Sequence, residues 1–97
     1  MKELDKENRV NLPKSVIEIC DIDFTTDVML YLYTEYKPNA LLLSNDKELA
    51  LPCFGVVNFD DKKRFYLLKE LRAYFKVKPK NELLIYCLNK RLIIEVL

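Results

Sequence analysis

Apolar and polar positions along this chain recur. Shifted by 55 positions, Arg9-Val10-Asn11-Leu12-Pro13-Lys14 lies over Arg64-Phe65-Tyr66-Leu67-Leu68-Lys69. Val16 falls on Leu71, Ile19 on Tyr74, Cys20 on Phe75 and Ile22 on Val77, and Asp27–Leu32 falls on Glu82–Cys87. The register runs ungapped over 25 residues, and apolar meets apolar at these core positions although only four places are identical. Such a period marks an internal repeat.

Each copy predicts strand, short helix, strand, strand. The first strands are Arg9–Leu12 and Arg64–Leu67. The helices cover roughly Lys14–Cys20 and Lys69–Phe75, with Val16, Ile19 and Cys20, or Leu71, Tyr74 and Phe75, as core positions at spacings of three and four. Pro13 suits a helix start, and Pro79 follows the second helix. The β-rich runs Val28–Tyr33 with Ala40–Leu43, and Leu83–Leu88 with Leu92–Val96, complete the copies. Asn89-Lys90-Arg91 joins the second pair as a tight hairpin; Pro38 and Asn39 lie in a longer first loop. Asn45-Asp46 signals a turn, and Phe54–Phe59 one further strand. One copy cannot bury both faces of its own sheet. A single domain over 1–97 follows, built of repeats at about 4–44 and 56–97 that close each other's core.

Composition narrows the chemistry. The 97 residues are 51% apolar, enough for a real core. His is absent, which removes the usual general base and the His-activated nucleophiles. The single glycine, Gly55, excludes Gly-rich phosphate loops. No run reaches a transmembrane length, and the charged start, Met1–Asn11, lacks the apolar stretch of a signal peptide. Three cysteines without regular spacing fit a reducing cytosol, hence a cytoplasmic location. Cys20 and Cys87, aligned with Phe75 and Leu32, read as buried small hydrophobes; Cys53 has no repeat partner. Asp21, Asp23 and Asp27 read as a solvated turn, and most of the six tyrosines as core or rim. No constellation supports an enzyme, a cofactor or a small-molecule substrate.

Charge is unevenly spread. Residues 1–48 carry six basic and ten acidic side chains; residues 49–97 carry ten basic and five acidic. Within Lys62–Lys80, Lys62, Lys63, Arg64, Lys69, Arg72, Lys76, Lys78 and Lys80 oppose only Glu70, a net +7. The matching window Glu7–Thr25 is net −2, with Arg9 and Lys14 its only cations. A basic patch on a nearly neutral chain is the footprint of phosphate binding. The same asymmetry lets the acidic half of one molecule meet the basic half of the next, head to tail, in a homo-oligomer that salt would loosen.

The segment Leu4-Asp5-Lys6-Glu7-Asn8-Arg9-Val10-Asn11-Leu12-Pro13-Lys14 resembles the opening motif of the AbrB/SpoVT superfamily: Asp-x-x-Gly-Arg, an apolar strand, Pro, then a short helix often carrying Leu-Arg. Asp60-Asp61-Lys62-Lys63-Arg64-Phe65-Tyr66-Leu67-Leu68-Lys69-Glu70-Leu71-Arg72 repeats it, and two tandem copies look most like the MraZ branch. The motif glycine is Asn8 in one copy and Lys63 in the other; Asn tolerates φ > 0, and Lys does so at a cost. Pro becomes Leu68, and the helix Arg, kept at Arg72, becomes Ile17. The resemblance implies a β-rich α+β fold, an AbrB-like swapped-hairpin barrel formed as a pseudo-dimer of the two repeats. It also implies a cytoplasmic regulator that binds double-stranded DNA. Its contacts would be Lys62, Lys63, Arg64, Lys69 and Arg72, then Lys76, Lys78 and Lys80, with Arg9 and Lys14 as weaker equivalents. The alternative is an interaction module, antitoxin-like, of the same fold without DNA binding.

Overall fold

The computed structural model describes residues 2–24, 30–46 and 48–97. Val28 and Met29, the expected start of one strand, and Asp27 of the carboxylate turn lie outside the described residues. The protein is a small β-rich α+β fold with two helices and antiparallel strand pairing. In chain order come β1 (Lys2–Glu3), β2 (Arg9–Asn11), α1 (Lys14–Cys20), β3 (Leu30–Lys37), β4 (Ala40–Ser44), β5 (Cys53–Val57), β6 (Arg64–Tyr66), α2 (Lys69–Phe75), β7 (Glu82–Leu88) and β8 (Arg91–Val96). Six strands form one sheet in the order β1-β7-β8-β4-β3-β5; β2 and β6 form a separate two-stranded ribbon. No helix among the described residues is long and apolar enough to cross a membrane.

Local conformations recur at the 55-residue offset. Asn8 and Lys63 both take positive φ (63° and 60°), the left-handed conformation expected where the motif has glycine. Both helices begin after an extended residue, Pro13 or Leu68; the ring gives Pro13 a helix-compatible φ of −64°, but its ψ of 140° is extended, so it stands just before the helix rather than within its first turn. Both helices end on a left-handed residue, Asp21 or Lys76. The next amide closes the turn, Ile22 N–H donating to the Ile17 carbonyl and Val77 N–H to that of Arg72. This is the Schellman arrangement, which satisfies carbonyls the helix leaves over. Asn89 and Lys90, both at positive φ, form the two-residue turn between β7 and β8, the geometry that matches strand twist.

The long-range pairings obey the same offset. In the ribbon Val10 opposes Phe65, Arg9 opposes Tyr66 and Asn11 opposes Arg64. Leu12 N–H donates to the Lys63 carbonyl, and Leu67 N–H to that of Asn8. Exchanging each residue for its counterpart 55 places away returns the same set of bonds. β4 and β8 pair with each other, and each edge strand lies on the other copy's half: β1 on β7, β5 on β3. The main core lies between one face of the sheet and the ribbon with its helices, around Val10, Phe65, Leu43, Leu92 and Ile94. A smaller cluster on the outer face, Tyr33, Leu42 and Ile93, packs against Leu49 and Leu51.

Other expectations require correction. Pro38 and Asn39 do not lie in a longer loop: they form the whole two-residue connection, with Lys37 paired to Ala40. Ile19 and Tyr74 are 71% and 58% exposed, not core. A two-turn helix buries one narrow face, and here it is Val16, Ile17 and Cys20, or Leu71 and Phe75. Cys20 and Cys87 are not separate thiols but a disulfide, Cα–Cα 5.6 Å, because α1 packs on β7. The inference from unpaired cysteines to a reducing compartment loses its premise. The counterparts of this bond in the offset register, Phe75 and Leu32, are both buried in the main core.

Candidate nucleic-acid interface

Alternation along the ribbon decides which side chains face outward. Val10 and Phe65 point into the core, so Arg9, Asn11, Arg64 and Tyr66 share the opposite face. Each arginine is held by an aspartate four residues earlier. The Asp5 carboxylate accepts from the N–H groups of Glu7 and Arg9 (2.9 and 2.8 Å), from Arg9 Nε (3.0 Å) and from Asn11 Nδ2 (3.2 Å). The Asp60 carboxylate accepts from the N–H groups of Lys62 and Arg64 (both 2.9 Å) and from Arg64 Nε (2.7 Å). Partial burial acts to raise the pKa of both carboxyls. The converging donors outweigh it and hold both below the ordinary value. Arg9 is raised, chiefly by its bond to Asp5. In each case Nε is engaged by the aspartate, which fixes the guanidinium beside the turn.

The two halves differ in what surrounds these arginines. Arg9 Nη2 also lies 3.5 Å from Glu7 Oε2, so two carboxylates engage it. Arg64 is paired with Asp60 alone among the described residues. Exposed Lys62 and Lys63 flank it in the entering turn, and the Lys63 ammonium lies 5.7 Å from the Phe24 ring centroid. Arg72 is fixed over the ribbon's edge: Nε donates to the Leu67 carbonyl (3.0 Å), Nη2 to the Tyr66 hydroxyl (2.7 Å), and the guanidinium lies 5.5 Å from that ring's centroid. Lys69 is exposed at the first position of α2, and Lys14 at that of α1. A cation there opposes the helix dipole, so helix stability gives no reason for either.

The remaining cations lie elsewhere. Lys76 caps the far end of α2, where the dipole favours it. Lys78 and Lys80 follow in the loop before β7; Lys80 N–H donates to the Leu4 carbonyl, which ties that loop to the chain just after β1. Arg9 and Arg64 thus lie in the ribbon, Lys62 and Lys63 in the turn that enters it, and Lys69 and Arg72 on α2 beside it, while Lys76 ends α2 and Lys78 and Lys80 lie in the loop bonded to Leu4. Sequence reasoning missed Asp5 and Asp60 as positioning residues, although Asp four places before Arg occurs in both copies. Among the described residues, no three of His, Cys, Asp and Glu converge as a metal site. Comparison of this chain with protein-family models, curated proteins and solved structures gives no match.

Proposed function

We propose that this chain is a small regulator that binds double-stranded DNA through the ribbon and the start of α2. In this reading the two repeats form an AbrB-like swapped-hairpin barrel, a pseudo-dimer within one chain. The observation that carries it is the pair of Asp-held arginines, Arg9 and Arg64, on one face of one two-stranded ribbon. A major groove admits such a ribbon, and an end-on Nη pair can bridge guanine O6 and N7 or grip a phosphate. Lys62, Lys63 and Lys69 would supply sequence-independent attraction; Lys76, Lys78 and Lys80 reach the backbone only if the duplex extends past α2. The acidic partners of Arg9 make the first half the weaker side.

The test is binding to random-sequence duplex DNA as a function of salt. Neutralising four to six phosphates gives a log K against log[salt] slope of roughly −4 to −5 per chain. Lys63→Glu should weaken binding to every sequence and make the slope shallower, whereas Lys78→Glu should do less. A DNA partner implies the cytoplasm, where thiols are kept reduced, so the assay is run with Cys20 and Cys87 both joined and reduced. No retention on duplex DNA in about 50 mM salt, in either redox state, overturns the reading.

A further inference from the structure

The two-fold relation between the repeats holds for the ribbon's arginines and fails for their neighbours. Four side chains share the outward face, paired across the strands as Asn11 with Arg64 and Arg9 with Tyr66. The 55-residue offset sets Arg64 on Arg9, but Tyr66 on Asn11. One end of the ribbon therefore presents an arginine beside an amide, and the other an arginine beside a phenol. Partners across antiparallel strands lie about 5 Å apart, and the two pairs lie about 7 Å apart along the ribbon, roughly two base-pair steps.

What holds each side chain decides what it can read. Asn11 Nδ2 donates to Asp5 Oδ2 at 3.2 Å. An ionised carboxylate only accepts, so this bond settles which way round the amide lies. Nδ2 keeps a second N–H, and Oδ1 has no donor among the described residues. A donor and an acceptor side by side in one plane match N7 and the N6 amino group of adenine, a pair that no other base shows in the major groove. Tyr66 is engaged differently: its hydroxyl accepts from Arg72 Nη2 at 2.7 Å, and the Arg72 guanidinium lies 5.5 Å from its ring centroid. The hydroxyl keeps one O–H to donate, and guanine, adenine and thymine all offer it an acceptor.

From this broken symmetry we infer that Asn11 reads adenine, and that the duplex site this chain prefers is not a palindrome: arginine contacts fall at both ends of the ribbon, with adenine required beside Arg64 only. This rests on the DNA-binding reading above and adds to it a base and a polarity. Asn11 is uncharged, so it acts on the choice among sequences and not on the attraction of phosphates. At the other end Glu7 lies 3.5 Å from Arg9 and competes for it, so the bases facing Arg64 and Asn11 are the more strictly selected.

The full chain is first tested for retention of random-sequence duplex DNA in about 50 mM salt, then used to select preferred duplexes from that pool. The expected site has an A·T pair toward one end with no mirror image at the other. Asn11→Ala should cut the preference for that pair by about five- to a hundredfold, while the salt slope and the binding of random duplex stay unchanged. Replacing the selected adenine by 7-deazaadenine removes the N7 acceptor, so it should weaken the unaltered chain and not Asn11→Ala. Tyr66→Asn sets an amide beside Asp60 as Asn11 lies beside Asp5, and should select a second adenine that makes the site palindromic. No retention of any duplex overturns the DNA reading and this inference with it. Retention with a palindromic site for the unaltered chain, with no effect of 7-deazaadenine, or with the parent preference kept by Asn11→Ala or Tyr66→Asn at unchanged circular dichroism, overturns the inference and leaves DNA binding standing.

Discussion

Lys76 offers the sharpest test of how the helices end. It sits at φ 54° with its N–H bonded to the Ala73 carbonyl, and Val77 N–H closes the turn onto Arg72. An L-residue in this conformation carries roughly 1–2 kcal/mol of clash between Cβ and the following carbonyl. Glycine has no such clash but adds about 0.5–1 kcal/mol of backbone entropy to the unfolded chain. The difference predicts that Lys76→Gly stabilises the protein by about 0.5–1 kcal/mol, a rise in Tm of roughly 2–8 °C for a domain of this size. Lys76→Ala separates strain from charge, because it removes the same ammonium while keeping Cβ; it should gain nothing. Thermal unfolding followed by circular dichroism, with the three proteins in one buffer, measures both. A Lys76→Gly protein no more stable than Lys76→Ala would refute the assignment of strain to this residue.

Other outcomes follow from the same structure. Phe65→Ala should cost about 3–5 kcal/mol in urea unfolding, since Phe65 is buried at the ribbon's centre. Ile19→Ser, on the exposed face of α1, should stay within about 0.5 kcal/mol of the parent. Reducing Cys20–Cys87, which closes a loop over a sequence separation of 67, should lower stability by about 4 kcal/mol on chain-entropy grounds, read as the shift in urea midpoint with and without reductant. Asp5 and Asp60 both titrate below the ordinary 3.8, so the stability they supply is complete above that value and is lost as pH falls through their lower folded pKa values. The urea midpoint should therefore fall on acidification below about pH 4, and Asp60→Asn should make that fall shallower.

What could be read in advance depended on the distance over which each feature is decided. α1 and α2 fall on Lys14–Cys20 and Lys69–Phe75 because apolar spacing and the following turn act within a few residues. The β7–β8 hairpin was legible for the same reason in Asn89-Lys90. Ile19 and Tyr74 were misplaced because spacing identifies a stripe, while the sheet beneath decides where on the helix that stripe lies. β1 left no apolar signal: two charged residues become a strand only because β7 reaches them from 80 positions away. The disulfide was invisible for the same reason, since only the packing of α1 on β7 brings Cys20 to Cys87. Around the candidate site, Arg64 and Lys62 could be chosen from the turn that precedes them. Lys78 and Lys80 were grouped with them by adjacency in the chain; they lie past the left-handed turn at Lys76, in the loop bonded to Leu4. The Arg72–Tyr66 contact joins a helix to a strand, and neither residue alone announces it.

Pairing across the two halves also governs when the chain can fold. Arg9–Asn11 has no partner until Arg64–Tyr66 has been made, and Ala40–Leu43 none on its outer side until Leu92–Glu95 follows. At roughly 5–20 residues per second, the ribbon's first strand waits about 3–11 s on the ribosome for its second. During that interval the Ala40–Leu43 strand, apolar on both faces, stays partly wet and open to pairing with a neighbouring nascent chain. Folding of the released chain should also be slow for its length, because its closing contacts span most of the sequence. Synthesis rate and holding by chaperones should therefore affect the yield of this protein more than that of a helical domain of equal stability.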